Sequence, residues 1–255
     1  MLEVKYDKNI DELRNIFAFS VLGLISKNQA AGSGTVIGLS GGKTPASFYS
    51  RLGKLSNSEP FFGINWKSVS FFMGDERHAP LDSNESNYKN AVDSLCFDSK
   101  IPREIIRPLN FNLFSPSLIA AGYESEIIDK TGGSGAFDLL ILGIGSDGHT
   151  ASLFERTVYE TPAESKHSDS GCKGRIFISH FIPKLSSIRY SLTLDSILSA
   201  RSIMVLATGE EKKEILKTAM KPENKINIIP AAALFTLCKK GAAPFTSLIT
   251  DIELL

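Results

Sequence analysis

Three short apolar runs in this chain each stop at a polar loop containing glycine, and that repeated junction constrains the fold more than any other feature. Thr35 to Leu39 meets Ser40-Gly41-Gly42-Lys43-Thr44-Pro45, Val69 to Met73 meets Gly74-Asp75-Glu76-Arg77, and Phe137 to Leu142 meets a loop running from Gly143 to Thr150. Each run is of strand length. Between and around them lies helical spacing. Ile10, Leu13, Ile16, Phe17, Val21, Leu24 and Ile25 recur on one face, with Asp7 or Asn9 available as a cap. Helices are also expected over Asn87 to Leu95, Pro116 to Asp129 behind Ser115, and Glu210 to Met220, and Pro45 sits where a helix should begin after the first loop. Later strands are expected over Arg175 to Ser179, Ile188 to Leu194 and Ser202 to Ala207. Strands alternating with helices predict an α/β fold, a mostly parallel sheet with helices on both faces, in a single domain over 1–255. Ligands of such sheets bind outside the carboxyl ends of the strands, where the three loops should meet.

The 255 residues, 42% hydrophobic and 22% charged, suffice for a large core. Lys+Arg 28 balance Asp+Glu 28, so no global field favours nucleic acid or an anionic membrane, and any anion site must be local. Cys96, Cys172 and Cys238 are odd in number and far apart, and they form no C-x-x-C pair. That pattern argues against a disulfide framework or a zinc site and for a reducing compartment. The N-terminus does not resemble a secretory signal, and no window approaches the roughly 18 apolar residues of a membrane span. A cytoplasmic location is expected, as monomer or homodimer, with neither nucleic acid nor membrane as partner. The polar stretch 155–173 reads as a surface excursion.

The loops carry the chemistry. In the first, small residues let backbone N–H groups approach an anion at a helix N-terminus, with Lys43 and Thr44 as further donors. A P-loop would need glycine at position 37, which is Ile, and Gly38 is one residue out of register. Asp75, Glu76 and Arg77 of the second loop read either as surface ion pairs or as a site in which Arg77 offers a planar fork to an anion. The third loop satisfies G-x-G-x-x-G at Gly143, Gly145 and Gly148. A dinucleotide reading, however, wants a helix directly afterwards and an acid about 20 residues on at a second strand end, whereas Asp169 falls in the polar excursion. His149, at a strand end among glycines and beside Asp147, is instead an acid/base candidate. His78, His167 and His180 have no such setting, and no histidine spacing suggests a metal pair.

Taken together, Leu39-Ser40-Gly41-Gly42-Lys43-Thr44-Pro45, Asp75-Glu76-Arg77 with Ser86-Asn87-Tyr88, and Asp147-Gly148-His149-Thr150-Ala151-Ser152-Leu153-Phe154 resemble the 6-phosphogluconolactonases in content and order. Arg189-Tyr190-Ser191-Leu192-Thr193 is similar to a strand of that family, and Gly209-Glu210-Glu211-Lys212 to one of its helix starts. The resemblance implies a Rossmann-like α/β fold with a few additional strands, shared with glucosamine-6-phosphate deaminases. It also implies hydrolysis of 6-phospho-D-glucono-1,5-lactone in the oxidative pentose phosphate pathway, without metal or organic cofactor. The residues after His149 depart from the deaminase pattern, which has Ile at position 150 and continues toward A-F-N-E-P. From the lactonase pattern the chain departs at Glu155-Arg156, where Pro-Gly is usual, and at Phe245, where Trp is frequent.

On this reading His149, oriented by Asp147, takes a proton from the water that attacks the lactone carbonyl, and backbone N–H groups of the Gly143 to Gly148 loop receive the oxyanion. Ser40, Gly41, Gly42, Lys43, Asp75, Arg77, Gly145, Arg189 and Lys212 are the expected substrate contacts, with Arg77, Arg189 and Lys212 favoured for the phosphate. The alternatives are a glucosamine-6-phosphate deaminase or isomerase using the same histidine for ring opening, and a non-enzymatic sugar-phosphate sensor.

Overall fold

The computed structural model describes residues 1–154, 174–221 and 229–254. The excursion 155–173, with His167 and Cys172, lies outside them.

The described strands are β1 (Leu2–Tyr6), β2 (Thr35–Leu39), β3 (Val69–Met73), β4 (Asp75–Arg77), β5 (Ile106–Arg107), β6 (Leu139–Gly143), β7 (Phe177–Ile182), β8 (Ser187–Leu192), β9 (Ser202–Leu206) and β10 (Phe245–Thr250). The helices are α1 (Ile10–Ala30), α2 (Lys43–Leu55), α3 (Asn87–Leu95), α4 (Pro116–Lys130), α5 (Leu194–Ser199), α6 (Lys213–Met220) and α7 (Pro230–Lys239). Seven strands form one sheet in the order β1-β10-β9-β6-β2-β3-β5, and all its pairings are parallel.

Side chains alternate across this sheet into two apolar layers. Val36, Phe72, Leu140, Leu142, Ile203 and Val205 join a cluster with α4 and α7. Their neighbours Ile37, Phe71, Leu139, Ile141, Met204 and Leu206 join one with α1, α2 and α3. Both faces are therefore dry, which is why β2 is buried at every position and has no polar side chain after Thr35. Close approach also requires Gly38, where a Cβ would stand 2.3 Å from Leu140.

Asn9 and Ser115 cap their helices as expected, and Ser86 adds a third cap. The Asn9 side chain accepts from the Asp11 N–H at the start of α1, Ser86 does so from Lys89 at α3, and Ser115 from Leu118 at α4. Several boundaries differ from expectation, three of them for a visible reason or by more than a residue. The segment expected as a helix from Glu210 opens with a 3-10 turn, Glu210–Lys212, before α6. The strand expected to reach Leu194 stops at Leu192, because Thr193 caps α5 through the Ser196 N–H. The strand expected over Arg175 to Ser179 runs instead over Phe177–Ile182.

The larger correction concerns Gly74-Asp75-Glu76-Arg77, which reads as a loop but contains β4. This strand pairs antiparallel with β8, which pairs antiparallel with β7, making a second, three-stranded sheet. The Gly74 N–H donates to the Leu39 carbonyl of the main sheet and its carbonyl accepts from Leu192, so one glycine joins the two sheets.

Candidate active site

The carboxyl ends of β2, β6 and β9 are adjacent, and the segments that follow them line a cleft of about 300 Å³. At one end stands the N-terminus of α2. Gly42 is its cap residue, with φ +102°, and no side chain caps the helix, so the first turn offers backbone donors beside Lys43 and Thr44. A Cβ on Gly41 would stand 1.8 Å from Asn87 Oδ1, so this position must be glycine for the loop to lie over α3. Lys212 reaches the same region from the far side, its Nζ 3.5 Å from Thr44 Oγ1. Burial lowers the Lys212 pKa, opposed by the carboxylates of Glu211 and Asp251.

Strand β4 supplies the floor. Asp75 and Glu76 are 7% and 0% exposed, which rules out the surface ion pairs that the local sequence allows. Asp75 Oδ2 accepts from Ser152 Oγ at 2.8 Å, and its backbone carbonyl accepts from Asn87 Nδ2. Glu76 points the other way and accepts four hydrogen bonds. Oε1 receives the N–H groups of Arg77 and Asn87, and Oε2 receives the Tyr88 N–H and the Ser86 hydroxyl. Its carboxylate thus sits on the N-terminus of α3, where the helix dipole favours a negative charge. Burial raises the Glu76 pKa, and the N–H groups of Asn87, Tyr88 and Arg77 partly offset it.

Arg77 lines the cleft and donates through Nη1 to the Glu85 carbonyl at 2.6 Å. Arg189 is its register partner across β4 and β8, and His180 is the register partner of Arg189 across β8 and β7. The three side chains form one row on one face of the small sheet. Arg189 does not line the cleft. Burial lowers its pKa, as does the Arg77 charge, while Asp75 and Glu76 oppose the change.

The loop after β6 carries His149. Asp147 Oδ1 lies 2.5 Å from His149 Nδ1 and Oδ2 lies 2.7 Å from Lys184 Nζ. Partial burial acts to raise the Asp147 pKa, but hydrogen bonds from Lys184 and His149 outweigh it and hold the carboxyl below its usual range. An ionised carboxylate only accepts, so Nδ1 of the neutral imidazole carries the proton and Nε2 keeps its lone pair. The His149 ring stacks on Phe154, with centroids 4.6 Å apart. Gly145 makes room, since a Cβ there would meet the ring at 2.2 Å.

The loop's glycine amides are already spent. The Gly143 N–H donates to Ser40 Oγ, Gly145 to the His149 carbonyl and Gly148 to the Gly145 carbonyl. While the loop keeps this form these three amides are occupied, which narrows the expectation placed on the N–H groups of the Gly143 to Gly148 loop.

Of the expected site residues, Ser40, Gly41, Gly42, Lys43, Asp75, Arg77, Gly145, His149 and Lys212 line one cleft, Asp147 stands behind His149, and Arg189 stands beside Arg77. Sequence reasoning assigned no role to Asn87, Ser152 or Lys184. Asn87 and Ser152 lie in strings that resemble the family's, whereas nothing in the sequence singles out Lys184, which arrives from the turn between β7 and β8. His78 is accounted for by its 2.6 Å hydrogen bond with the Tyr190 hydroxyl. Among the described residues no three His, Cys, Asp or Glu side chains converge as a metal site would require. No described helix is long and apolar enough to cross a membrane.

Fold and cleft are those of an α/β enzyme, with Lys43, Arg77, Lys212 and the N-terminus of α2 lining the same cleft as His149, which Asp147 backs. Residues 8–242 match the family described as glucosamine-6-phosphate isomerases/6-phosphogluconolactonase, and the chain belongs to that family. It is 37% identical to the 6-phosphogluconolactonase of Haemophilus influenzae over 71% of each chain. It is 33% identical to that of Chlamydia pneumoniae over 74% of this chain and 66% of the relative. The solved 6-phosphogluconolactonase of Trypanosoma cruzi superposes with a TM-score of 0.74 at 26% identity, covering 98% of this chain and 94% of that one.

Proposed function

We propose that this chain hydrolyses 6-phospho-D-glucono-1,5-lactone to 6-phospho-D-gluconate with His149 as general base. The observation that carries the reading is the Asp147-backed imidazole facing, across one cleft, the α2 N-terminus with Lys43, Arg77 and Lys212. A phosphate dianion binds at the cationic end, where those side chains and the helix dipole act together. Arg189 adds positive potential from behind Arg77. Ser40, Asp75 and Gly145 border the space left for the sugar.

With the phosphate held, the lactone C1 lies toward His149. Nε2 takes a proton from water as the water oxygen attacks C1, Asp147 stabilises the imidazolium that forms, and the proton passes to the ring oxygen as the C1–O5 bond breaks. General-base assistance supplies about 10²- to 10⁴-fold, and fixing the lactone by its phosphate supplies much of the rest. A cytoplasmic site of action fits the free thiols of Cys96 and Cys238.

The test is a coupled assay for 6-phosphogluconate, corrected for spontaneous lactone opening, on the parent and on His149→Ala. The parent is expected to turn over and the variant to lose at least about 10²-fold in kcat. Retention of kcat within threefold by the variant removes His149 from the base role. Ammonia release from glucosamine 6-phosphate, with no lactone hydrolysis, replaces the lactonase reading with the deaminase one.

A further inference from the structure

We infer that Lys184 is a positioning residue for this reaction, holding Asp147 in the rotamer that orients His149. The inference rests on the general-base reading of His149 and extends it to a residue that reaches Asp147 from the second sheet.

Lys184 sits in the 3-10 turn Pro183–Leu185 between β7 and β8. Its Nζ is 2.7 Å from Asp147 Oδ2 while the other carboxylate oxygen meets His149 Nδ1, so each oxygen of Asp147 has its own partner. The same Nζ lies 4.4 Å from the centroid of the Phe154 ring on which His149 stacks. Cation and imidazole thus rest against one aromatic ring, joined by one carboxylate. The terminal torsion of an aspartate is broad and roughly two-fold. With a side chain 46% exposed, Asp147 has little packing to fix that torsion. The Lys184 hydrogen bond pins Oδ2 and thereby aims Oδ1 at the histidine.

The electrostatic consequence has a definite sign. Asp147 favours the imidazolium, and the Lys184 charge opposes it. As long as Asp147 keeps its hydrogen bond to His149, removing Lys184 leaves the carboxylate unopposed, so the imidazolium becomes more stable and the neutral base is populated only at higher pH. The other charges facing the cleft are Lys43 from α2, Asp75 and Arg77 from β4, and Glu211 and Lys212 from the 3-10 turn before α6. They are constant across variants at position 184. Because Lys184 is 52% exposed, solvent screens its effect. An upward move of about half a pH unit is expected, the size of one repulsion at ~6 Å in a water-like dielectric, and added salt should shrink it.

The experiment compares pH profiles of kcat and kcat/KM for the parent, Lys184→Met, Lys184→Arg and His149→Ala, together with an NMR titration of the His149 imidazole identified by its loss in His149→Ala. Expected for Lys184→Met are a kcat plateau lower by about three- to tenfold, KM within twofold of the parent, and an acid limb and imidazole titration both moved up by about half a pH unit. Lys184→Arg keeps the charge and restores the limb. A Lys184→Met enzyme with the parent's plateau and limb overturns the inference. So does a raised KM with an unmoved limb, which makes Lys184 a substrate contact. In both cases an inactive His149→Ala leaves the base reading standing, whereas an active His149→Ala brings down both together.

Discussion

Replacing Gly145 with alanine separates the chemistry of this site from its folding. The new Cβ would stand 2.2 Å from His149 Cε1 and Nδ1 and 2.8 Å from Asp147 Oδ1. Ordinary van der Waals contact begins near 3.4 Å, so the ring must retreat by about 1.2 Å. Gly145 is not among the glycines of positive φ, so the backbone accepts alanine without strain. The His149 side chain is 34% exposed and can yield outward by giving up its Asp147 and Phe154 contacts, which keeps the folding cost to about 1 kcal/mol. The catalytic cost is larger. A displacement of about 1 Å from the attacking geometry costs on the order of 10²-fold, or about 2.7 kcal/mol in barrier height. In the lactone assay, Gly145→Ala should therefore lose about 10²-fold in kcat, with KM within about threefold because the phosphate end is untouched, and with a Tm within about 4 °C of the parent. A well-folded Gly145→Ala enzyme with kcat within threefold of the parent would show that the Asp147–His149 geometry does not limit the reaction.

Gly41→Ala should behave in the opposite way, because the obstructing Asn87 amide is only 1% exposed and cannot yield. A loss of about 1–3 kcal/mol in denaturant unfolding is expected, and an unchanged midpoint would contradict it. On the proposed reading Arg77→Ala removes a charge-assisted contact to the phosphate and should raise KM by about 10- to 100-fold, with kcat affected less. An unchanged KM would remove Arg77 from the anion site. The His180 pKa is lowered to about 4 by burial and by the Arg189 charge, partly offset by a hydrogen bond to the Ser152 backbone. The unfolded chain then binds the extra proton between about pH 4 and 6.5, so this contribution to stability is lost as pH falls through that window. His180→Gln should flatten the acid side of the stability profile by up to about 1.4 kcal/mol per pH unit, measured by urea titration at several pH values.

Where local physics decides, the sequence predicted structure well. Strands β2 and β3 and helix α3 carry their own boundaries, in apolar runs that end at glycine or a serine cap that precedes a helical face. The glycine and histidine loops were legible because their residue types are costly without a purpose. What was missed depends on distant partners. Asp75–Arg77 is a strand only because Arg189–Ser191, more than 110 residues later, pairs with it. Helix α7 is buried at most positions, so it lacks the polar face that periodicity detects. Strand β1, at the sheet edge, has two charged residues in five and carries too weak an apolar signal. Lys184 is an ordinary surface lysine until the β7–β8 turn brings it to Asp147.

The carboxylate of Glu76 has a consequence for the timing of energetic costs. By gathering Arg77, Ser86, Asn87 and Tyr88 around one buried charge, it fixes the strand that presents Asp75 and Arg77 and the asparagine that lies beneath Gly41. That ordering takes place as the chain folds, before any ligand arrives. Binding then needs little rearrangement of this wall, and the interaction energy of the phosphate remains available to restrain the lactone for attack.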